Sequence, residues 1–311
     1  MRKIRIGTRE SQLAVWQAEQ VKSLLAENDF DAELIYIKSE GDIDLVTPLY
    51  EIGVQGIFTR SLDAALLNDR IDIAVHSMKD VPTQLPNGIS QAAVLKRGAV
   101  NDLLVFKNEA AQKKYDSLTT HNSPFTVATS SIRRKAQWLN KFPAHAIENL
   151  RGNVNTRLRK LQEENWDAAI FAQAGLERIN LRPVNSIVLD WMLPAPAQGA
   201  IVIVCREDDL FSFEACHKLN DEETALCTKI ERDFLRQLLG GCSTPISAYA
   251  EVRSGNIHFK GNVLSLDGRK KLEVEGSADM YNANDLGIRS AVTILQKGGM
   301  ELTEEIRHAA K

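Results

Sequence analysis

Ile71-Asp72-Ile73-Ala74-Val75-His76-Ser77-Met78-Lys79-Asp80-Val81-Pro82 is the stretch on which the fold of this chain turns. Its first five residues make a short, mostly apolar run of the kind that a fully buried parallel strand needs. Upstream, residues 3–7 and 32–38 also read as strands, and Ala14, Ala18, Val21 and Leu25 recur at helical spacing between them. Residues 57–68 predict a second helix. Strand and helix in alternation describe an α/β unit with a parallel sheet. Ligands of such sheets bind at the strand ends, where a carboxylate sits partly desolvated and nearby cations set its charge. Asp80 beside Lys79 is therefore a candidate for orienting a substrate nitrogen or moving its proton. A purely structural Lys-Asp turn before Pro82 is the competing reading.

Residues 39–56 show no period and carry Gly41, Pro48, Gly53 and Gly56, which marks a loop beside a site. After Arg97 the rhythm restarts, with strands expected at 103–106, 125–129 and 168–172 and helices at 132–141 and 154–164. A proline-rich stretch, 193–197, leads to a buried strand at 200–205. From Asp221 the pattern changes to a long helix (221–238), strands near 247–252, 256–264 and 271–275, and a helix at 285–296. The chain of 311 residues thus holds α/β units followed by an α+β unit, consistent with two or three domains.

Thirty-eight Lys and Arg against 41 Asp and Glu leave a net charge of −3, which argues against a surface that grips nucleic acid or anionic membrane as a whole. The distribution is uneven. Between Thr129 and Lys160 lie eight basic residues and one acid, so 32 residues carry +7 and the remainder −10. Thr129-Ser130-Ser131 precedes a helix, where hydroxyls and free N–H groups hold anions, and Arg133 and Arg134 follow at once. Arg151 ends another apolar run, and Asn153 is placed to cap the helix bearing Arg157. Arginine suits two-pronged recognition of carboxylate or phosphate. A solvated basic helix face remains the alternative, above all for Lys135 and Lys160. Thr8-Arg9-Glu10-Ser11 repeats the pairing of an Arg and a hydroxyl at a helix start.

The four cysteines lack any CxxC pair and the six histidines any HxH or HxxxH pair, so neither a disulfide framework nor a metal site is expected. Cys242 differs from the others: it follows Gly240-Gly241 and precedes Ser243-Thr244-Pro245, a loop with room for a bulky adduct on a nucleophilic thiol. The N-terminal residues contain no signal-peptide core and the chain no membrane span, so a cytoplasmic location is expected. Phosphate loops of the GxGxxG or GxxxxGK type are absent.

Taken together, TRESQLAVWQA (8–18), DIAVHSMKDVP (72–82), TSSIRRKAQ (129–137), LRGNVNTRL (150–158), DAAIFAQAGLER (167–178), PAQGA (196–200) and GGCSTPI (240–246) resemble the porphobilinogen deaminase (hydroxymethylbilane synthase) family over nearly the whole chain. The resemblance implies two α/β domains of the type II periplasmic-binding-protein kind around a cleft, plus a small C-terminal α+β domain. Residues 1–97 with 194–215 would form the first and carry the catalytic aspartate. Residues 98–193 would form the arginine-rich second, and 216–311 the third, with the attachment cysteine.

The implied activity is the head-to-tail condensation of four porphobilinogen molecules, with loss of ammonia, onto a dipyrromethane cofactor joined by a thioether to Cys242; water then releases hydroxymethylbilane. Asp80 matches the catalytic aspartate, facing the electrophilic azafulvenium that forms as ammonia leaves, and Lys79 a cofactor contact. Arg9, Ser11, Ser77, Thr129, Ser131, Arg133, Arg134, Arg151, Arg157 and Arg178 match positions that bind cofactor or substrate carboxylates, with Gln198 and Gly199 beside them on the crossover. No metal, nucleic-acid or membrane partner is implied, and a monomer is expected. Several positions depart from the family: Glu51 and Gln55 stand where lysines are frequent, Ala128, Asn155 and Ala197 where glycine is common, and Arg97-Gly98-Ala99-Val100-Asn101-Asp102 replaces an R-x-D-P-R-D type of hinge. A non-catalytic anion-binding module would explain the arginines but not the Gly-Gly-Cys loop.

Overall fold

A computed structural model describes residues 2–38, 59–117, 124–238 and 244–309. The expected loop at 39–56 with Glu51 and Gln55, the first two residues of the helix expected from 57, and the Gly-Gly-Cys loop with Cys242 lie outside the described residues.

The chain runs β1 (Ile4–Thr8), α1 (Gln12–Ala26), β2 (Ala32–Tyr36), α2 (Arg60–Leu67), β3 (Ile73–Ser77), β4 (Ile89–Val94), β5 (Asp102–Phe106), α3 (Glu109–Asp116), β6 (Thr126–Ala128), α4 (Ile132–Lys141), β7 (Ala146–Glu148), α5 (Val154–Glu163), β8 (Ala168–Ala172), α6 (Gln173–Glu177), β9 (Ser186–Leu189) and β10 (Ile201–Arg206). It continues through α7 (Leu210–His217), α8 (Glu222–Gln237), β11 (Ile246–Arg253), β12 (Asn256–Leu264), β13 (Lys271–Asp279), α9 (Leu286–Ile294) and α10 (Met300–Ala309). A short 3₁₀ turn, Met78–Asp80, follows β3 directly.

Two five-stranded sheets share one plan. The first runs β2-β1-β3-β10-β4 and the second β7-β6-β8-β5-β9. In each, three strands are parallel and the fourth is antiparallel to both its neighbours. The antiparallel strand is in each case the one that follows a crossover from the other sheet: β5 comes after β4, and β10 after β9. That corrects one expectation. β3 is buried, but it is parallel only to β1 and antiparallel to β10, because the strand beside it is the returning chain. The α/β class with an appended α+β unit is observed as expected.

Local signals account for most of the elements. Ala14, Ala18, Val21 and Leu25 form the buried stripe of α1, while Ser11, Ser131 and Asn153 cap α1, α4 and α5 by accepting the Ala14, Arg134 and Thr156 N–H groups. α7, unlike these, has no stripe that stands out in sequence; it packs on β4 and β10 through Ala215 and Cys216.

The two crossovers touch at Gly199, whose carbonyl accepts the Gly98 N–H at 3.0 Å. Gly199 has φ +88°, and a Cβ there would lie 2.7 Å from the Ala99 carbonyl oxygen, so the close approach requires glycine. The third sheet, β11-β12-β13, is antiparallel and covered by α8 and α9 over Ile230, Phe234, Ala248, Phe259 and Ile294. Gly287 lets α9 lie against α8: a Cβ would meet the Ile230 carbonyl oxygen at 2.0 Å. No described helix is long and apolar enough to cross a membrane.

Candidate active site

The turn after β3 carries Lys79 and Asp80, both half-buried. It is anchored from behind by a residue the sequence did not single out. Arg232, on α8, donates to the carbonyls of Met78 at 3.3 Å, Val81 at 2.9 Å and Pro82 at 2.6 Å, holding the backbone on both sides of Asp80. Ser77, at the end of β3, accepts a 2.9 Å hydrogen bond from the amide of Gln17 on α1. His76 is buried behind it, with no hydrogen-bond partner at Nε2 among the described residues. Burial, with the positive charge of Arg9, pushes His76 down to about 3, so the imidazole is neutral at ordinary pH.

The basic cluster divides once folded. Arg133, Arg134 and Arg151 are buried, whereas Lys135 is exposed and Arg159 pairs with Glu163 on the solvated face of α5. The interior arginines are not all turned to a ligand. Asp102, at the start of β5 and fully buried, takes 2.7 Å bonds from Nη2 of both Arg133 and Arg134. Burial alone would push this carboxyl up, but the two guanidinium groups outweigh it and hold Asp102 well below the usual carboxylate range. Arg133 Nη1 donates to the Leu193 carbonyl and Arg134 Nη1 to that of Ile170. Arg133 Nε, however, is buried without a partner among the described residues. In sequence Asp102 stood out only as the last residue of the hinge segment 97–102 and as an acid at the start of an apolar strand, and neither signal pointed to the arginine pair.

Two cations on different elements feel the same carboxylate, Asp80. Lys79 Nζ donates to Gln198 Oε1 at 3.3 Å. Burial lowers Lys79 to about 8; Asp80 and Asp102 oppose the shift, while Arg134 and Arg133 add to it. Arg157, on α5, is lowered to about 10 by burial and by Arg134 and Arg151, with Asp80 opposing. The charges of the first sheet's turn and the second sheet's arginines therefore act on one another across the crossover.

Arg178 stands apart. Its Nη2 donates to the Gly199 carbonyl at 2.7 Å and its guanidinium lies over the Trp16 ring. It lines a cavity of about 600 Å³ with Trp16, Gly98 and Ala99, on the hinge side, and none of Lys79, Asp80, Arg133, Arg134 or Arg157 borders that cavity. Burial, rather than another charge, lowers it to about 10. Arg9 follows β1 and is half-buried.

The hydroxyls are largely occupied in local structure. Thr129 Oγ1 accepts the Ser131 N–H, and Ser131 and Ser11 are the helix caps already described. Ser130 bridges Asn149 Oδ1 and the Leu150 N–H. Of the family departures, Ala128 ends β6 fully buried, and Asn155 reaches from α5 to Gln12 Oε1 at 3.0 Å. Ala197 holds a left-handed φ of +62°. Cys205, Cys216 and Cys227 are buried free thiols. Burial pushes all three up, Cys227 to about 12, which leaves them inert.

Comparison with known proteins is consistent along the length of the chain. Residues 4–213 match the family model "Porphobilinogen deaminase, dipyromethane cofactor binding domain", and residues 225–296 match "Porphobilinogen deaminase, C-terminal domain". The curated porphobilinogen deaminase of Chlorobium phaeobacteroides (strain BS1) is 38% identical over 314 residues, covering 98% of each chain. That of Syntrophomonas wolfei is 39% identical over 311 residues, covering 99% of this chain and 100% of its own. Among solved structures, the methionine-binding protein MetQ is similar with a TM-score of 0.43 and 15% identity, over 72% of this chain and 93% of its own. An ancestral cationic amino acid solute-binding protein gives a TM-score of 0.42 and 14% identity, over 70% of this chain and 87% of its own. With one family model covering most of the chain and relatives near 39% identity at full length, the chain belongs to the porphobilinogen deaminase family.

Proposed function

We propose that the Lys79–Asp80 turn and the arginines of the second sheet form the working site of a porphobilinogen deaminase, with Asp80 as the catalytic group. The observation that carries this reading is electrostatic: Asp80 acts on both Lys79 and Arg157, so the strand-end carboxylate lies among desolvated cations. The carboxylate there accepts the pyrrole N–H of porphobilinogen, stabilises positive charge as ammonia departs, and takes up the proton released when the new bond forms. Arg232 holds the backbone on both sides of Asp80 from behind. Arg157, Arg151 and Arg9 bind the acetate and propionate groups of the substrate, with Ser11, Ser77, Thr129 and Ser131 at the helix starts and strand ends and Gln198 and Gly199 on the crossover, whereas Arg178 lies on the separate hinge-side cavity.

The family's dipyrromethane cofactor supplies the primer to which pyrrole units are added. The residues present suit such a group, because Arg133 Nε is a buried donor lacking an acceptor and Arg157 is a desolvated cation. Both gain from carboxylates of the type that every pyrrole ring carries. Arg133, Arg134 and Lys79 would hold it, and Cys242 would be its point of attachment. The three-unit division, 1–97 with 194–215, 98–193 and 216–311, places the last boundary within α7. The protein is read as a cytoplasmic monomer with no nucleic-acid or membrane partner.

Intact-mass measurement tests the reading directly. The purified protein should exceed its polypeptide mass by two condensed pyrrole units, and Cys242→Ser should lack the increment. A bare polypeptide even after incubation with porphobilinogen would overturn the assignment of Cys242. Asp80→Ala should keep its fold and lose most turnover; unchanged turnover would remove Asp80 from its role.

A further inference from the structure

Two guanidinium groups packed side by side in the interior repel each other unless an anion is shared between them. Here the anion is built in. Four hydrogen bonds end on the Asp102 carboxylate: from Arg133 Nη2 at 2.7 Å, from Arg134 Nη2 and Nε at 2.7 and 3.1 Å, and from Gln198 Nε2 at 2.9 Å. Gln198 is almost fully buried on the second crossover, and its amide nitrogen also reaches the Val100 carbonyl on the first, at 2.8 Å. Its Oε1 accepts from Lys79. A continuous path therefore runs from the turn bearing Asp80, through the crossover, to the arginine pair.

We propose that Asp102 is a positioning residue for the deaminase reaction: a buried carboxylate that fixes the Arg133–Arg134 pair and, through Gln198, the Lys79 ammonium in a single frame. This rests on the reading of Lys79, Asp80 and the arginine pair as the working site. The charge count explains why an acid is needed. One resident carboxylate against two guanidiniums leaves the pair with a net positive charge, enough to attract a ligand carboxylate without two unopposed cations splaying apart. The ends of both side chains are fixed as well, by the Leu193 and Ile170 carbonyls, while the buried Arg133 Nε and the second hydrogens of the Nη groups keep donor capacity for a ligand carboxylate. An asparagine would keep the shape of Asp102 and remove its charge.

The arrangement has a signature that packing alone would not produce. Among the described residues, the charged groups that act most on Lys79 are Asp80 on its own turn and Asp102, Arg133 and Arg134 from the second sheet. Asp102 opposes the lowering of Lys79, so its removal moves the loss of the ammonium to lower pH.

The experiment compares wild type, Asp102→Asn and Gln198→Leu, each checked by intact mass for the pyrrole increment and then assayed with porphobilinogen between pH 6.5 and 9.5. In wild type, KM should rise as pH passes about 8, where Lys79 loses its proton. Asp102→Asn should carry the increment on fewer chains. Its KM at neutral pH should rise about tenfold with a smaller change in kcat, as expected for lost carboxylate binding. Its rise in KM should begin roughly half a pH unit earlier. Gln198→Leu should shift the pH course in the same direction with a smaller change in neutral KM, because the arginine pair keeps its anion. Should Asp102→Asn fail to fold, Gln198→Leu decides. An unchanged pH course in the folded variants overturns the proposal while the increment persists. Absence of the increment from wild type overturns the site reading itself, and this inference with it.

Discussion

Arg97 and Glu231 form a two-pronged ion pair, with Nη1 to Oε1 at 2.6 Å and Nη2 to Oε2 at 2.9 Å, in which the glutamate is fully buried. The same carboxylate accepts the N–H of Ala197 at 2.6 Å and of Ala250 at 2.7 Å. Arg97 lies on the first crossover, Ala197 on the second and Ala250 in the third sheet. One side chain of α8 thus ties the hinge of the two α/β sheets to the α+β unit.

Removing one partner from such a pair strands a buried charge. Glu231→Ala should lower stability by about 3–5 kcal/mol, read as a fall in the thermal midpoint. The double variant with Arg97→Ala should be less destabilised than the two single effects combined, since the stranded guanidinium is gone. Additive losses would show that the two residues act separately.

Arg232 makes a different kind of contact, cation to backbone carbonyl, and its effect should be on rate. Arg232→Met should keep the pyrrole increment and the fold yet lose about tenfold in kcat, near 1.4 kcal/mol of barrier. The cause would be an Asp80 turn left without its support. A kcat equal to wild type would mean that the turn holds its shape without α8.

At Gly199 both conformation and space are decisive. Gly199→Ala places a methyl between the Gly98 and Ala99 carbonyls at a positive φ, and should cost more than about 1 kcal/mol. The thermal midpoint reads this directly, and a midpoint at or above wild type would contradict the close contact of the crossovers.

Acid should act through Asp72. Its side chain is almost fully buried and paired with Arg2 and Arg5. Burial would push the carboxyl up, but the hydrogen bonds from Arg5 and Arg2 outweigh it and hold it well below its usual range. A depressed folded value means that the folded chain binds fewer protons than the unfolded one as pH falls through about 4. The stabilisation from Asp72 is complete above that value and is lost below it. Melting midpoints measured from pH 6 to 2.5 should fall less steeply in Asp72→Asn, which starts lower at neutral pH.

Much of the fold was legible because its signals are local. The stripe of α1, the caps Ser11, Ser131 and Asn153, and the limits of α4 and β8 depend on residues within a turn or a strand of one another. The shorter elements β7, β9 and α6 were not legible, since three to five residues carry little periodicity, and the longer β4, α3, α7 and α10 were not read from the sequence either. The site was legible in part. Lys79 and Asp80 stand at a strand end as their sequence implies, and the basic cluster lies where strand meets helix.

By itself, the sequence determined the α/β alternation, the appended α+β unit, the strand-end turn with its acid and base, and the family. All of these are written in short-range pattern and in the order of motifs. Only the tertiary structure decided how the charges are used. Arg133 and Arg134 share Asp102 across about 30 residues of chain, Glu231 takes Arg97 from 134 residues away, and Arg232 reaches the Asp80 turn across more than 150. The physical reason is burial. A charged side chain withdrawn from water must find its counter-ion wherever folding brings one, and no periodicity in the chain records which acid that will be.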